Sequence, residues 1–62
     1  MLKVNLKDVE VGDFFRFEDS KNAPLWIRGC YERISREYSC ISFDDYNHLL
    51  LRKGSVIVFV EI

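Results

Sequence analysis

The densest group of side chains that could bind a metal ion lies in one short segment, residues 44–48. Asp44, Asp45, Asn47 and His48 all fall within it. Carboxylates beside an imidazole can bind a divalent cation. Asp and Asn also dominate turns, because their side chains hydrogen-bond to the nearby backbone. We interpret the segment as a turn and predict no metal site there.

The two cysteines raise the questions of zinc and of a disulfide. Cys30, Cys40 and His48 could supply three zinc ligands, but a structural site takes four and its cysteines are usually close in sequence. We therefore predict no zinc. A hairpin whose paired residue numbers sum to 70 would place Cys30 opposite Cys40, and a sum of 71 would place it opposite Ile41. Whether the two thiols pair depends on that register and on geometry.

The sequence offers no set of catalytic residues. His48 is the only histidine and has no evident nucleophile as a partner, and the three glycines form no phosphate-binding loop. We predict a non-enzymatic protein without a cofactor or a small-molecule substrate.

Aromatic and basic residues alternate in one segment, residues 25–43, and form the candidate partner-binding set. Trp, Tyr and Arg are enriched at protein interfaces, and the same mixture suits stacking on single-stranded DNA or RNA. Trp26 and Tyr31 are expected on opposite faces of a strand, so at least one of them belongs to the core. The predicted set is Trp26, Arg28, Tyr31, Arg33, Arg36 and Tyr38.

The overall charge is close to neutral, with nine Lys and Arg against ten Asp and Glu. A domain that binds nucleic acid is usually strongly basic, so the net charge favours a protein partner, including a second copy of the chain. Residues 21–36 nevertheless hold four basic residues and one acidic residue. This local excess keeps a nucleic-acid partner as the alternative.

Short apolar runs separated by polar turn clusters are typical of an all-β chain. A helical turn near Asn5 is expected, with Asn5 as its cap, and Leu2–Val4 is a candidate for a short additional edge strand. Gly12 permits a tight turn before the first main strand. Five main strands are predicted, at Asp13–Glu18, Leu25–Arg33, Tyr38–Phe43, Asn47–Arg52 and Val56–Val60.

The pattern within these strands predicts where the core lies. Phe15 and Phe17 share one face, while Phe14 shares the other with charged residues, so the first face should be buried. Gly29 within the longest strand predicts a bulge or a bend. The unbroken apolar run Val56–Val60 should lie centrally or be covered on both faces.

The segment Leu6–Phe17 resembles the L-x-D-[LV]-x-V-G-D-x-F opening of many small SH3-like barrels, in which a turn leads through Gly-Asp into the first long strand. The resemblance implies a five-stranded SH3-like barrel with one short helical turn near its start. Such barrels bind proteins, bind nucleic acids or serve as structural parts, so the fold does not imply one function.

The chain of 62 residues is expected to form one domain, residues 1–62. Its first residues contain no apolar leader and no run reaches the roughly 18 apolar residues of a membrane span, so we expect a cytoplasmic protein with reduced thiols. Its size and the lack of an enzyme core are typical of accessory proteins of phages or other mobile elements, including inhibitors that cap a host enzyme. The sequence therefore predicts an interaction module, with binding to single-stranded DNA or RNA as the alternative.

Overall fold

The computed structural model describes residues 1–45 and 47–61, and this part of the chain is all-β with one 3-10 turn. Gly12 lies in the predicted tight turn with φ of 88°. The 3-10 turn is at Leu6–Asp8, where helical structure was predicted, but its Asn5 cap forms no side-chain hydrogen bond. The strands are β1 (Leu2–Asn5), β2 (Phe14–Phe15), β3 (Trp26–Glu32), β4 (Glu37–Ser42), β5 (Leu49–Arg52) and β6 (Ile57–Val60).

The strands form two antiparallel sheets. One contains β2, β3, β4 and β5 in that order, and the other contains β1 and β6. Arg16 and Phe59 connect the sheets through a single bridge, in which each N–H donates to the other's carbonyl oxygen over 2.8 Å. The described residues thus contain six strands and no closed barrel, so the prediction of five strands closing into one barrel is not met.

The strand predicted at Asp13–Glu18 is much shorter in the structure and is limited to β2 and the Arg16 bridge. The reason is local: the backbone after Phe17 turns, and Ser20 donates to the carbonyl of Glu18 rather than to another strand. The predicted face is correct, because Phe15 is fully buried and Phe17 packs against the core. Because β2 is short, few backbone hydrogen bonds are available to join the two sheets.

The core lies between the two sheets and is small. Phe17 contacts both Phe15 and Trp26 edge to face, with ring centroids 5.2 Å and 5.5 Å apart. Aromatic pairs in this geometry add to the stabilisation from burial alone. The buried apolar residues are Leu6, Val9, Phe15, Trp26, Cys40 and Val58.

A bulge at Gly29 and Cys30 shifts the register of β3 against β4, as the glycine predicted. Arg28 pairs with Cys40 before the bulge and Tyr31 pairs with Tyr38 after it, so the paired numbers sum to 68 and then to 69. Both proposed sums, 70 and 71, are therefore wrong. Cys40 is buried, Cys30 is exposed, and both thiols are free.

The last strand, β6, pairs with β1 along one edge and meets only the Arg16 bridge along the other. Val58 is fully buried, while Ile57 is 42% exposed, so the run is not covered on both faces as its hydrophobicity suggested. Across the described residues, the helical structure includes no segment long and apolar enough to span a lipid bilayer.

Candidate functional site

The structure separates Trp26 from the other members of the predicted partner-binding set. Trp26 is 8% exposed and belongs to the core, where its ring lies 5.5 Å from that of Phe17 and 5.3 Å from that of His48. It stabilises the fold and presents little surface to a partner.

Three residues of the set come together on the sheet face that carries the core. The Arg28 guanidinium lies 4.4 Å from the centre of the Tyr38 ring, and the Tyr31 and Tyr38 rings are 4.9 Å apart. Tyr31 is 45% exposed. The bulge causes this arrangement, because the extra residue brings Tyr31 to the face of Trp26. The expectation that Trp26 and Tyr31 lie on opposite faces is therefore wrong.

Arg33 and Arg36 lie in the exposed turn between β3 and β4. Arg36 has φ of 57°, the left-handed conformation that closes this turn. Arg52 pairs directly with Tyr38, and Lys53 follows it, so cations collect at this end of the sheet. Glu32 and Glu37 pair at the same end and offset part of the charge. The result is a moderately basic end with one exposed tyrosine.

Cys40 lies beneath this basic end. Burial raises the pKa of the Cys40 thiol to about 11, although the nearby Arg52 and Arg28 charges lower it. A thiolate is the reactive form of cysteine, so Cys40 is protonated and unreactive at neutral pH. Cys40 belongs to the same buried cluster as Phe15 and Val58.

The opposite face of the four-stranded sheet carries an apolar row that our reading of the sequence did not identify. Phe14, Ile27, Ile41 and Leu49 are register partners across all four strands, and they point away from the core. Phe14 is 48% exposed and Leu49 is 53% exposed. We call the following set the outer apolar face: Phe14, Ile27, Ile41, Phe43, Leu49 and Leu51.

Two further contacts define the outer apolar face. The Phe43 ring packs edge to face against Phe14 at 5.6 Å, and the Phe43 N–H donates to the carbonyl of Leu25 over 3.0 Å. Both aromatic rings remain about half exposed. The sequence does indicate this face, because Ile41 and Phe43 lie two residues apart, as do Leu49 and Leu51. The same spacing also fits a buried face, since apolar residues occur on both sides of these strands.

Asp44 and Asp45 precede β5 outside any strand, as predicted, but the strand predicted from Asn47 begins only at Leu49, so Asn47 and His48 belong to the connection. Tyr46 is outside the described residues. The Asn47 N–H donates to Asp45 Oδ1 over 3.0 Å, and the His48 N–H donates to the Asp45 carbonyl over 2.9 Å. Asp45 thus uses its oxygens to stabilise the turn. In residues 1–45 and 47–61, no three His, Cys, Asp or Glu side chains are grouped to hold a metal ion.

A groove of about 490 Å³ lies where the two sheets meet. Leu2, Phe14 and Val60 supply part of its apolar lining, and Arg16 is its cation. The Arg16 Nη1 donates to Glu61 Oε1 over 2.7 Å, and its Nε donates to the Ala23 carbonyl over 3.2 Å. Asp8 and Asp13 line the groove as well, so it offers a ligand apolar contact beside carboxylates.

Comparisons of the chain with protein-family models, with curated proteins and with solved structures found no match.

Proposed function

We propose that this protein is a non-enzymatic interaction module that binds another protein through its outer apolar face. The observation that carries the proposal is the row Phe14–Ile27–Ile41–Leu49, which crosses the whole sheet on the side away from the core. An antiparallel sheet with one face on the core usually has polar residues on its other face. A continuous apolar row on the uncovered face is typical of an interaction site.

The energetics favour a partner on this face. Each large side chain contributes roughly 1.5–3 kcal/mol when it moves from water to a buried site. Phe14, Phe43 and Leu49 each keep about half of their surface in water. Covering them together would give a contact with two aromatic anchors, and aromatic side chains dominate interface energetics.

We also propose that the fold is a partly open relative of the small SH3-like barrels. The Gly12 turn leads directly into β2, and the four strands from β2 to β5 follow one another as a meander. The Arg16–Phe59 bridge provides one connection toward closure. This proposal supports a binding role without selecting the partner, because barrels of this kind bind different classes of molecule.

The proposed function is tested by capture of partners from a lysate of the source cells, with the immobilised protein and mass spectrometry. Phe43→Ser removes an exposed ring of the outer apolar face without touching the core. Ile34→Ser is the matched control, because Ile34 is 94% exposed in the turn between β3 and β4. A partner of the outer apolar face should be lost with Phe43→Ser and kept with Ile34→Ser.

Circular dichroism and thermal melting of both variants establish that the fold is retained. If every captured protein binds the folded Phe43→Ser variant as well as the original, the outer apolar face is not the site and this proposal is wrong.

Binding to single-stranded DNA or RNA is the second candidate, and the cluster of Arg28, Tyr31 and Tyr38 favours it. Tyr31 is exposed enough to stack on a base, and stacking on aromatic rings beside cations is the common mode of such binding. The basic turn with Arg33 and Arg36 could contact phosphates. Affinity would fall steeply with added salt, because phosphate contacts release counterions.

This second candidate is tested by NMR titration of the labelled protein with short oligonucleotides at low salt. Shifts should concentrate at Tyr31 and the turn at residues 33–36, and Arg33→Ala should weaken them without affecting the fold. The absence of shifts at low salt would refute nucleic-acid binding.

A further inference from the structure

One edge of the four-stranded sheet, strand β5, has no neighbour among the described residues. Its sequence is Leu49-Leu50-Leu51-Arg52, with Leu49 and Leu51 exposed and Leu50 directed to the core. An apolar edge strand is a template for pairing with another chain, and proteins commonly protect such edges with charged residues. Strand β5 has one charged residue, Arg52, at its last position, so Leu49, Leu50 and Leu51 have no such protection.

The hydrogen-bond phase shows which backbone groups of β5 are free. In an antiparallel pair, residues alternate between those that bond to the neighbouring strand and those that do not. The Ser42 N–H donates to the His48 carbonyl over 3.0 Å, so Leu50 and Arg52 direct their groups to β4. Leu49 and Leu51 therefore direct their N–H and C=O groups to the open edge.

A side-chain contact agrees with this phase. The Arg52 Nη1 donates to the Leu51 carbonyl oxygen over 2.8 Å, so this acceptor is not used by β4. The contact is exposed, and an exposed side-chain contact of this kind contributes little stability. A strand from another molecule could replace it at small cost.

We propose that two copies of this chain associate by antiparallel pairing of their β5 edges, about a two-fold axis at Leu50. This proposal goes beyond the proposed function, because it concerns the free edge of β5 and a second copy of the chain rather than a different protein on the outer apolar face. Leu49 of each copy then lies opposite Leu51 of the other, and the free groups of these residues form about four backbone hydrogen bonds. The sheet continues across the axis into the second copy.

Charge complementarity supports the antiparallel orientation. Arg52 and Lys53 lie at one end of β5, and Asp44 and Asp45 precede its other end. Antiparallel pairing brings the basic end of each copy toward the acidic end of the other. A parallel arrangement would place like charges together, which is unfavourable.

The outer apolar face adds area to the pairing. In each copy Leu49 ends the apolar row, and antiparallel pairing places Leu51 of the second copy beside it. A strand edge of four residues still buries less than the roughly 800 Å² per partner of a standard interface. The dimer is therefore a weak and reversible one, formed in the micromolar to millimolar range.

The test is sedimentation equilibrium from low micromolar to millimolar concentration, on the whole chain. The original protein should pass from 7.4 kDa to twice that mass. Leu51→Lys places a charge on the free edge and should raise the dissociation constant at least tenfold. Ile34→Lys, the same type of change on the exposed turn, should leave it unchanged. Leu51→Pro removes an N–H that β4 does not use and should also prevent pairing.

An NMR dilution series provides a second readout if a variant fails to fold, because the Leu49 and Leu51 amides of the original protein should shift with concentration. A monomer at every concentration would overturn the inference, as would a dimer that Leu51→Lys leaves intact or an assembly that grows beyond two copies. Capture of a different protein that Phe43→Ser abolishes would still uphold the proposed function, so the two can fail separately.

Discussion

Truncation of Phe15 is the sharpest test of which sheet face is the core. Phe15 is 1% exposed and contacts Phe17 edge to face, whereas its neighbour Phe14 is 48% exposed on the other face. Phe15→Ala and Phe14→Ala are therefore the same chemical change on opposite sides of one short strand.

The magnitude follows from the buried area. Full burial of a phenylalanine side chain contributes about 1.5–3 kcal/mol relative to its exposure to water. Alanine retains part of this, and the cavity adds a cost, so Phe15→Ala should lower the free energy of unfolding by about 3–5 kcal/mol. The single core of a chain of 62 residues rarely supplies more than about 3–5 kcal/mol of stability in total. The variant should be unfolded or nearly so, while Phe14→Ala should cost about 1 kcal/mol.

Urea unfolding followed by fluorescence measures both values, because Trp26 is the only tryptophan and is buried against Phe17. A loss for Phe14→Ala equal to or greater than that for Phe15→Ala would show that the two faces have been assigned the wrong way round.

Four other outcomes are expected. A Cβ atom on Gly29 would lie 2.2 Å from Ser39 Oγ. Gly29→Ala should therefore lower the free energy of unfolding, followed in thermal melts, by about 1–3 kcal/mol, and by less when Ser39→Ala is also present. Equal losses with and without Ser39→Ala would contradict this contact. A thiol reagent at pH 8 should label Cys30 and spare Cys40, while both react in urea. Because the raised pKa of Cys40 means that the unfolded thiol ionises first, stability should fall between pH 9 and pH 11, and Cys40→Ala should remove that part of the pH dependence. Glu61→Gln should lower the free energy of unfolding by less than about 1 kcal/mol, since the Glu61 side chain is 63% exposed. A larger loss in urea unfolding would mean that water does not screen the ion pair between Glu61 and Arg16.

The approximate positions of most strands along the chain could be predicted from the sequence. The Gly12 turn, the bulge at Gly29 and the core face of Phe15 each depend on a local rule of backbone or side-chain geometry. Closure of the strands into a barrel depends on contacts between distant segments, for which the alternation of residues gives no information. The short β2 and the free edge of β5 are of this second kind.

The candidate site was harder to predict, and two residues show why. Trp26 and Tyr31 were placed on opposite faces by simple alternation, but the bulge between them adds one residue and brings them to the same face. The outer apolar face was missed because β4 and β5 are apolar on both sides, so hydrophobicity alone does not distinguish a buried row from an exposed one. The two rows differ in side-chain burial, and burial is known only once the fold is known.

The pairing of β1 with β6 has a consequence for how the chain folds. The meander from β2 to β5 joins neighbours in sequence, which can pair as soon as each turn has formed. Leu6, Val9 and Val58 belong to one buried cluster, so this part of the core is complete only after β6 has paired with β1. Contacts of such long sequence separation form slowly. During synthesis β2 to β5 would leave the ribosome before β6, so one side of the core would stay in contact with water until β6 pairs with β1.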